Sequence, residues 1–402
     1  MPTNPRATWG FVEFVVVLAL INALTTFSTE SIVPAQIAIG AEFGINDRIP
    51  LQYIISIMFW GMMAGEWLMG PLSDAYGRRP IMNLGLLLFV LGTCVVLLSH
   101  SFDGILFGRF IQGLGMAACK ITTRAIVRDS YSGDEMARIS SFMAIIFIFV
   151  PMVAPVFGEI VFLAYGWRAV VWSWLFGALL LIFWFFIRQK ESLPIEDRRL
   201  IAWQPIKTGV LSIIRNRRTL GFTLTLGCLW GFQLQYLSNA KSLITDIYGI
   251  ERIGFVMGLI AVGMAFSAAI NGSIVRRFGS IRLAKSAIIL IFLLSIVDLA
   301  VLNVTNHVPW IYFLGSLMIK FSLMGFCYGN LTAAGMVYAS KIAGLAASFM
   351  SALSSVIGLV LSKIAGMFYN LHLDTFYYPM AIMSALTLLA LMWSLSAPAT
   401  KN

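Results

Sequence analysis

Residues 70–80, Gly-Pro-Leu-Ser-Asp-Ala-Tyr-Gly-Arg-Arg-Pro, constrain this chain more than any other stretch, because they are short and charged and lie between two apolar runs. Residues 51–69 are mostly apolar, with Gln52 and Glu66 among the exceptions, and residues 81–99 carry no formal charge. About twenty apolar residues in a helix cross ~30 Å of hydrocarbon. Both flanks meet that length, so the segment predicts a hairpin of two membrane-crossing helices whose turn lies at a membrane surface.

The rest of the chain continues the pattern. With 59% hydrophobic residues, 11% charged residues and a mean hydropathy of +0.87, its main solvent is lipid. Apolar windows predict an all-α membrane protein with twelve transmembrane helices, near residues 9–38, 51–69, 81–99, 103–126, 139–163, 168–187, 220–243, 253–275, 284–304, 309–334, 342–367 and 375–397. The first run lacks a small-residue cleavage site and continues through Pro34, so it reads as a retained span rather than a signal peptide.

Twelve spans put both termini on one side. Twenty of the 28 basic residues fall on that side, among them Arg6, Arg78, Arg79, Arg124, Arg128, Arg138, eight between Arg188 and Arg218, Arg276, Arg277, Arg282, Lys285, Lys341 and Lys401. The opposite side holds only Arg48, Arg168, Lys241 and Arg252. The positive-inside rule then predicts cytoplasmic termini. The net charge of +10 is read as a topology signal and not as nucleic-acid binding, since it is spread over short loops. Cys94, Cys119, Cys228 and Cys327 lie in predicted spans without a CxxC pair, and His100, His307 and His372 lie in predicted outer loops. Neither a disulfide framework nor a metal or other cofactor is expected.

Gly70 to Gly77 reads GPLSDAYG and Gly272 to Gly279 reads GSIVRRFG, each after the second span of its half and 202 residues apart. That spacing predicts two six-helix pseudo-repeat bundles. The expected domains are an N-terminal bundle over 1–188, a basic cytoplasmic linker over 189–219 that includes Pro194, and a C-terminal bundle over 220–402.

Several segments carry a more specific likeness: the 70–80 motif; Ser28-Thr29-Glu30 with Val33-Pro34-Ala35; Arg109-Phe-Ile-Gln112-Gly113; Arg124 to Asp129; Gly166-Trp167-Arg168; and Gly329-Asn330-Leu-Thr-Ala. Together they resemble the major facilitator superfamily, and within it the Bcr/CflA-like branch of twelve-helix drug:proton antiporters. The resemblance spans most of the chain and implies the major facilitator fold, a bundle-rocking cycle of alternating access and a monomer that suffices for transport. It also implies a conformational lock built from Gly70, Asp74, Gly77, Arg78, Arg79 and Asp129, with Asp74 positioned to cap a neighbouring helix N-terminus. Ala75 stands where the family often has a basic residue. Pro151, Pro155 and Gly158 in helix 5 resemble an antiporter signature, although Ala154 and Glu159 replace two of its glycines.

Glu30 is the foremost candidate for proton and substrate binding. A carboxylate within a span costs about 2.5–3.5 kcal/mol on insertion scales, so it is expected to face a cavity, where a proton and a substrate compete for it. The alternative is satisfaction by the hydroxyls of Ser28, Thr29 or Ser31. Arg109 matches the family's motif arginine, expected to communicate with the acidic site of helix 1; bonding to backbone carbonyls is the other reading. Lys120, eleven residues on, shares its helical face, so the pair faces a cavity or a partner helix; the alternative is that Lys120 snorkels toward the cytoplasm. Lys320 sits near the middle of span 10, where an unpaired ammonium is costly. It either leaves the cavity with surplus positive charge, favouring anionic solutes, or pairs with a carboxylate such as Glu30. Asn22, Gln233, Tyr236 and Asn330 complete the expected substrate cavity, in helices 1, 7 and 10. Glu66 is expected to pair with neighbouring arginines and Glu159 to be a surface carboxylate.

These residues predict a proton-coupled transporter in the bacterial inner membrane that exports drugs or small organic solutes. The alternative is a proton symporter, or an exporter of an endogenous anionic metabolite such as a siderophore. The expected partners are a small-molecule substrate, protons and the lipid bilayer. An enzyme is not expected, because the sequence offers no nucleophile–base pair, metal-ligand spacing, Walker loop or soluble catalytic domain.

Overall fold

The computed structural model describes residues 10–45, 48–131, 133–198, 211, 213–305, 308–337, 343–370 and 372–397. Arg6, His307, Lys341 and Lys401, named above, lie outside the described residues, as do residues 199–210 and 212 of the linker. The described residues are helical and include no strand. The chain divides into two compact units, Met1–Ala202 and Trp203–Asn402.

In the first unit α1 (Phe11–Glu30) ends at a break, a 3-10 turn over Val33–Ala35, and α2 (Gln36–Glu42) completes the span. Then follow α3 (Arg48–Tyr76), α4 (Arg78–Leu98), α5 (Phe102–Ser130), α6 (Gly133–Tyr165) and α7 (Trp167–Arg188). The second unit holds α8 (Arg217–Lys241), which runs into a π-helical turn over Ser242–Ile247, then α9 (Ile253–Phe278) and α10 (Ser280–Thr305). Its remaining helices are α11 (Trp310–Gly325), α12 (Tyr328–Val337), α13 (Ala343–Met367) and α14 (Leu373–Leu395). Short interruptions at 31–35 and at Phe326–Cys327 divide two of the spans, so each unit presents six.

Eight of these spans are apolar and long enough to cross a bilayer by composition alone. The other four long helices, α3, α5, α6 and α8, are 29, 29, 33 and 25 residues and long enough to cross. They hold Glu66, Arg109, Lys120, Glu159 and Gln235, polar groups that a lipid-facing helix would not tolerate. Large apolar side chains such as Phe183, Val304 and Ile311 are exposed, as lipid-facing positions require.

The 70–80 segment is more helical than expected. Helix α3 continues through Pro71 to Tyr76, and the turn between the spans is Gly77 alone, at φ +106°. A side chain is strained there, and a Cβ would also collide with the Glu191 carboxylate. Gly279, 202 residues on, separates α9 from α10 in the same manner at φ +82°. The first span differs from expectation too: Pro34 lacks an N–H and cannot continue the α-helical ladder, so 9–38 is two helical pieces.

Glycines let α5 press against α3 and α4. A Cβ on Gly113 would lie 2.0 Å from the Met58 carbonyl oxygen, and one on Gly92 would lie 2.6 Å from that of Gly108. Backbone contact of this kind is how helices pack without a hydrophobic driving force, and it brings Arg109 within reach of the α3 backbone.

Candidate functional site

The break after α1 places Glu30 eighteen residues from Val12 and twelve from Glu42 along its span. It is half-buried, and among the described residues it has no hydrogen-bond or ion-pair partner. The neighbouring hydroxyls do not satisfy it. Ser28 Oγ and Thr29 Oγ1 both donate to the Thr25 carbonyl, at 3.0 and 2.8 Å, and Ser31 Oγ donates to that of Phe27 at 2.6 Å. Beyond the break, Gln36 is buried with its Nε2 unpartnered. Asn22, also half-buried, lies eight residues before Glu30 on α1.

Arg109 is 1% exposed, yet it meets no carboxylate among the described residues. Its Nε donates to the Ile54 carbonyl at 3.0 Å and its Nη1 to Gln112 Oε1 at 2.8 Å, while Gln112 Nε2 donates to Thr93 Oγ1 at 2.7 Å. Its Nη2 is unpartnered, and its Cζ lies 5.2 Å from the centroid of the Trp174 ring. Trp174 Nε1 donates to Ser31 Oγ at 2.9 Å, so the link from Arg109 to the Glu30 region runs through a tryptophan.

Lys120 faces a partner helix: its Nζ lies 2.5 Å from Glu66 Oε1, tying α5 to α3. Glu66 was expected to pair with arginines; it pairs with the ammonium of the facing helix, and Arg124 lies within range of its charge. Glu159 was expected at the surface and is 4% exposed within α6, without a partner among the described residues. Pro151 and Pro155 lie inside α6, and a Cβ on Gly158 would meet the Ser31 carbonyl oxygen at 2.0 Å. Helix α6 therefore touches the backbone of the break itself.

The charged motif forms a compact cluster at one end of the first unit. Arg78, 3% exposed, donates through Nε to Asp129 Oδ2 at 2.9 Å and through Nη1 to Asp74 Oδ1 at 2.5 Å and Ser73 Oγ at 3.0 Å. Arg79 turns away, donating to the Phe186 carbonyl and stacking on the Phe186 ring. The helix N-terminus in this cluster is capped by Glu191 and not by Asp74: Glu191 accepts from the backbone N–H groups of Arg78 and Arg79, at 2.9 and 3.2 Å. Gly70 lies within α3 facing open space.

In the second unit Lys320, 1% exposed on α11, forms an ion pair with Asp298, equally buried on α10. Tyr312 Oη and Ser316 Oγ donate to Asp298 Oδ1 at 3.0 and 2.8 Å. Tyr312, Ser316 and Lys320 are spaced by four residues, so one face of α11 supplies all three donors. The Phe232 and Tyr377 rings flank the ammonium, each centroid 5.9 Å away. The partner of Lys320 is thus Asp298, not Glu30. Asn330 exchanges hydrogen bonds with Asn271 of α9, and Gln233 Oε1 accepts from Tyr328 Oη at 2.9 Å. Tyr236 is buried against Phe321. Gln235 is fully buried with both side-chain polar atoms unpartnered.

A sequence model of the Major Facilitator Superfamily matches residues 18–362. The chain belongs to that superfamily. Membership agrees with the all-helical architecture, and among solved structures a D-xylose–proton symporter superposes with a TM-score of 0.78 over 97% of this chain and 98% of its own, at 17% identity. An uncharacterized MFS-type transporter, YdgK of Bacillus subtilis, is 29% identical over 79% of both chains. A bicyclomycin resistance protein homolog of Haemophilus influenzae is 23% identical over 70% of this chain and 71% of its own. The chain is therefore a multi-pass membrane transporter of small molecules and not an enzyme.

Within this major facilitator chain, sequence reasoning did not single out Trp174 or Glu191, and it considered Asp298 as a fallback proton site and not as the partner of Lys320. Trp174 and Asp298 stand alone in apolar runs, where only a neighbouring helix reveals what they bond. The signal for Asp298 was its cost in hydrocarbon, which called for a basic partner.

Proposed function

We propose that this transporter exports drug-like or other small organic solutes in exchange for protons by alternating access, with Glu30 taking up and releasing the proton. The observation that carries the reading is Glu30 itself, a carboxylate held at a break in a membrane helix without a partner among the described residues. Irregular backbone at membrane depth is where transporters of this architecture place ion and substrate groups. The bicyclomycin resistance relative supports export of a drug-like solute. The two six-helix bundles, 1–188 and 220–402, would be the moving parts of a monomer in the bacterial inner membrane, with both termini cytoplasmic as the basic-residue bias suggests. Arg78 with Asp74 and Asp129 would stabilise one conformation of the cycle.

The charge pattern also bears on the substrate. A preference for anions rested on Arg109, Lys120 and Lys320. Two of these are neutralised, by Glu66 and Asp298, and the third is sealed from solvent. Glu30 then dominates the charge that a solute can meet, which favours cationic or neutral solutes over anions such as siderophores.

The test is substrate-induced proton movement in proteoliposomes, read with a pH dye, for cations, neutral drugs and organic anions. Proton movement with cations or neutral drugs that disappears in Glu30→Gln is expected. A signal unchanged in Glu30→Gln would move the proton site to Glu159, because Glu13 and Asp298 are engaged by Arg188 and Lys320.

A further inference from the structure

Helix α7 holds the first span through three tryptophans at three levels. Near one end Trp184 Nε1 donates to Glu13 Oε1 at 2.8 Å, and near the other Trp167 Nε1 donates to Glu42 Oε2 at 2.7 Å. Each of these carboxylates also binds an arginine of α7, Arg188 or Arg168, so both ends are closed ionic staples. The middle contact is of another kind. Trp174 donates to the hydroxyl of Ser31, the residue that follows Glu30 and caps α1.

The Ser31 hydroxyl gives its one proton to the Phe27 carbonyl and accepts the indole N–H on one of its two lone pairs. Gly158 of α6 packs on the same backbone, so Ser31 is clamped between α6 and α7. The opposite claim on Trp174 comes from Arg109, whose guanidinium lies over its ring. Trp174 is fully buried and Arg109 almost so, and neither has room to relax separately. A shift of the break beside Glu30 must therefore displace the ring on which Arg109 rests. Arg109 in turn is bonded to the α3 backbone and, through Gln112, to Thr93 of α4.

We propose that Trp174 is a positioning residue that couples the helix break beside Glu30 to the buried guanidinium of Arg109, and thereby tunes proton exchange at Glu30. The proposal rests on the reading of Glu30 as the proton site. Among the described residues, the helices packed against α1 carry charged groups that include Arg109, Lys120 and Arg124 of α5, Glu159 of α6, and Arg168 and Arg188 of α7, and α3, whose Met58 meets Ser28 and Thr29, carries Glu66; Lys120 is engaged by Glu66, Arg168 by Glu42 and Arg188 by Glu13.

The experiment compares wild type, Trp174→Phe, Ser31→Ala and the double variant in proteoliposomes, measuring protons moved and solute transported across a pH series, with thermal stability in detergent alongside. Trp174→Phe keeps a ring and removes the donor; Ser31→Ala removes the acceptor with a minimal change of volume. Each single variant is expected to lower proton-coupled flux about fivefold at neutral pH, the size set by one hydrogen bond. Each should also displace the pH profile in the same direction, and the double variant should add little to either. Profiles superimposable on wild type would overturn the proposal, as would lower stability without a displaced profile, or effects that simply add. A wild-type signal that survives in Glu30→Gln would instead remove the Glu30 reading, and this inference with it.

Discussion

Each unit closes a buried pair, Lys120–Glu66 in the first and Lys320–Asp298 in the second, but the units differ in the charges left beside it. In the second, Lys320 and Asp298 are closed on each other, with two hydroxyls completing the carboxylate's shell. In the first, Glu30 and Arg109 both lie within spans, yet neither bonds an opposite charge among the described residues. A closed buried pair adds little net stability over an apolar replacement but is costly to half-remove. A charge left without a partner depends on water, a proton or a solute. The comparison teaches that the unit that leaves charges within its spans without an opposite charge is the better candidate for exchange, and the unit whose span charges are closed on each other the better candidate for a fixed scaffold.

The largest expected effect tests the closed pair. Lys320→Met or Asp298→Asn alone leaves the partner's charge buried and should destabilise the protein by about 3–5 kcal/mol, seen as a lower thermal midpoint in detergent. The double variant should recover most of that loss and retain transport; a stable double variant without transport would show the pair to be functional and break the comparison.

The next effect is steric and lies in the first unit. Gly113→Val places a branched side chain where the Met58 carbonyl already sits and should cost about 1–3 kcal/mol, together with loss of transport as Arg109 is displaced. Replacement of Glu191 by alanine removes the acceptor for two N–H groups at the start of α4, and about 0.5–2 kcal/mol of stability is expected to go with it. Glu30→Gln should be the mildest of the series in stability, within about 0.5 kcal/mol, because no bond to a described residue is lost. It should nonetheless abolish proton-coupled flux. A large destabilisation in Glu30→Gln would reveal a structural partner and erase the contrast between the units.

Much of this was legible in the chain. Hydrophobic length located the spans, and the spacing of Gly77 and Gly279 anticipated two helix junctions of the same form. The intramembrane cost of Lys320 called for either a partner or a hydrated cavity, and the structure supplies a partner. What it would pair with was not legible, because Asp298 is 22 residues away and the choice depends on which faces of α10 and α11 meet. The same holds for Lys120 with Glu66. Pro34 stood inside a run read as one span, and residue order alone could not say that the helix would break after Glu30 or that Ser31 would be gripped by Trp174, 143 residues on.

The sequence by itself determined that this protein is a helical membrane transporter. Segment length, apolar content and motif spacing are local properties, and lipid admits few other solutions for such segments. Only the tertiary structure decided which charges are satisfied and which are left open. That choice depends on side chains brought together from distant helices, at distances of a few ångströms that no local pattern encodes.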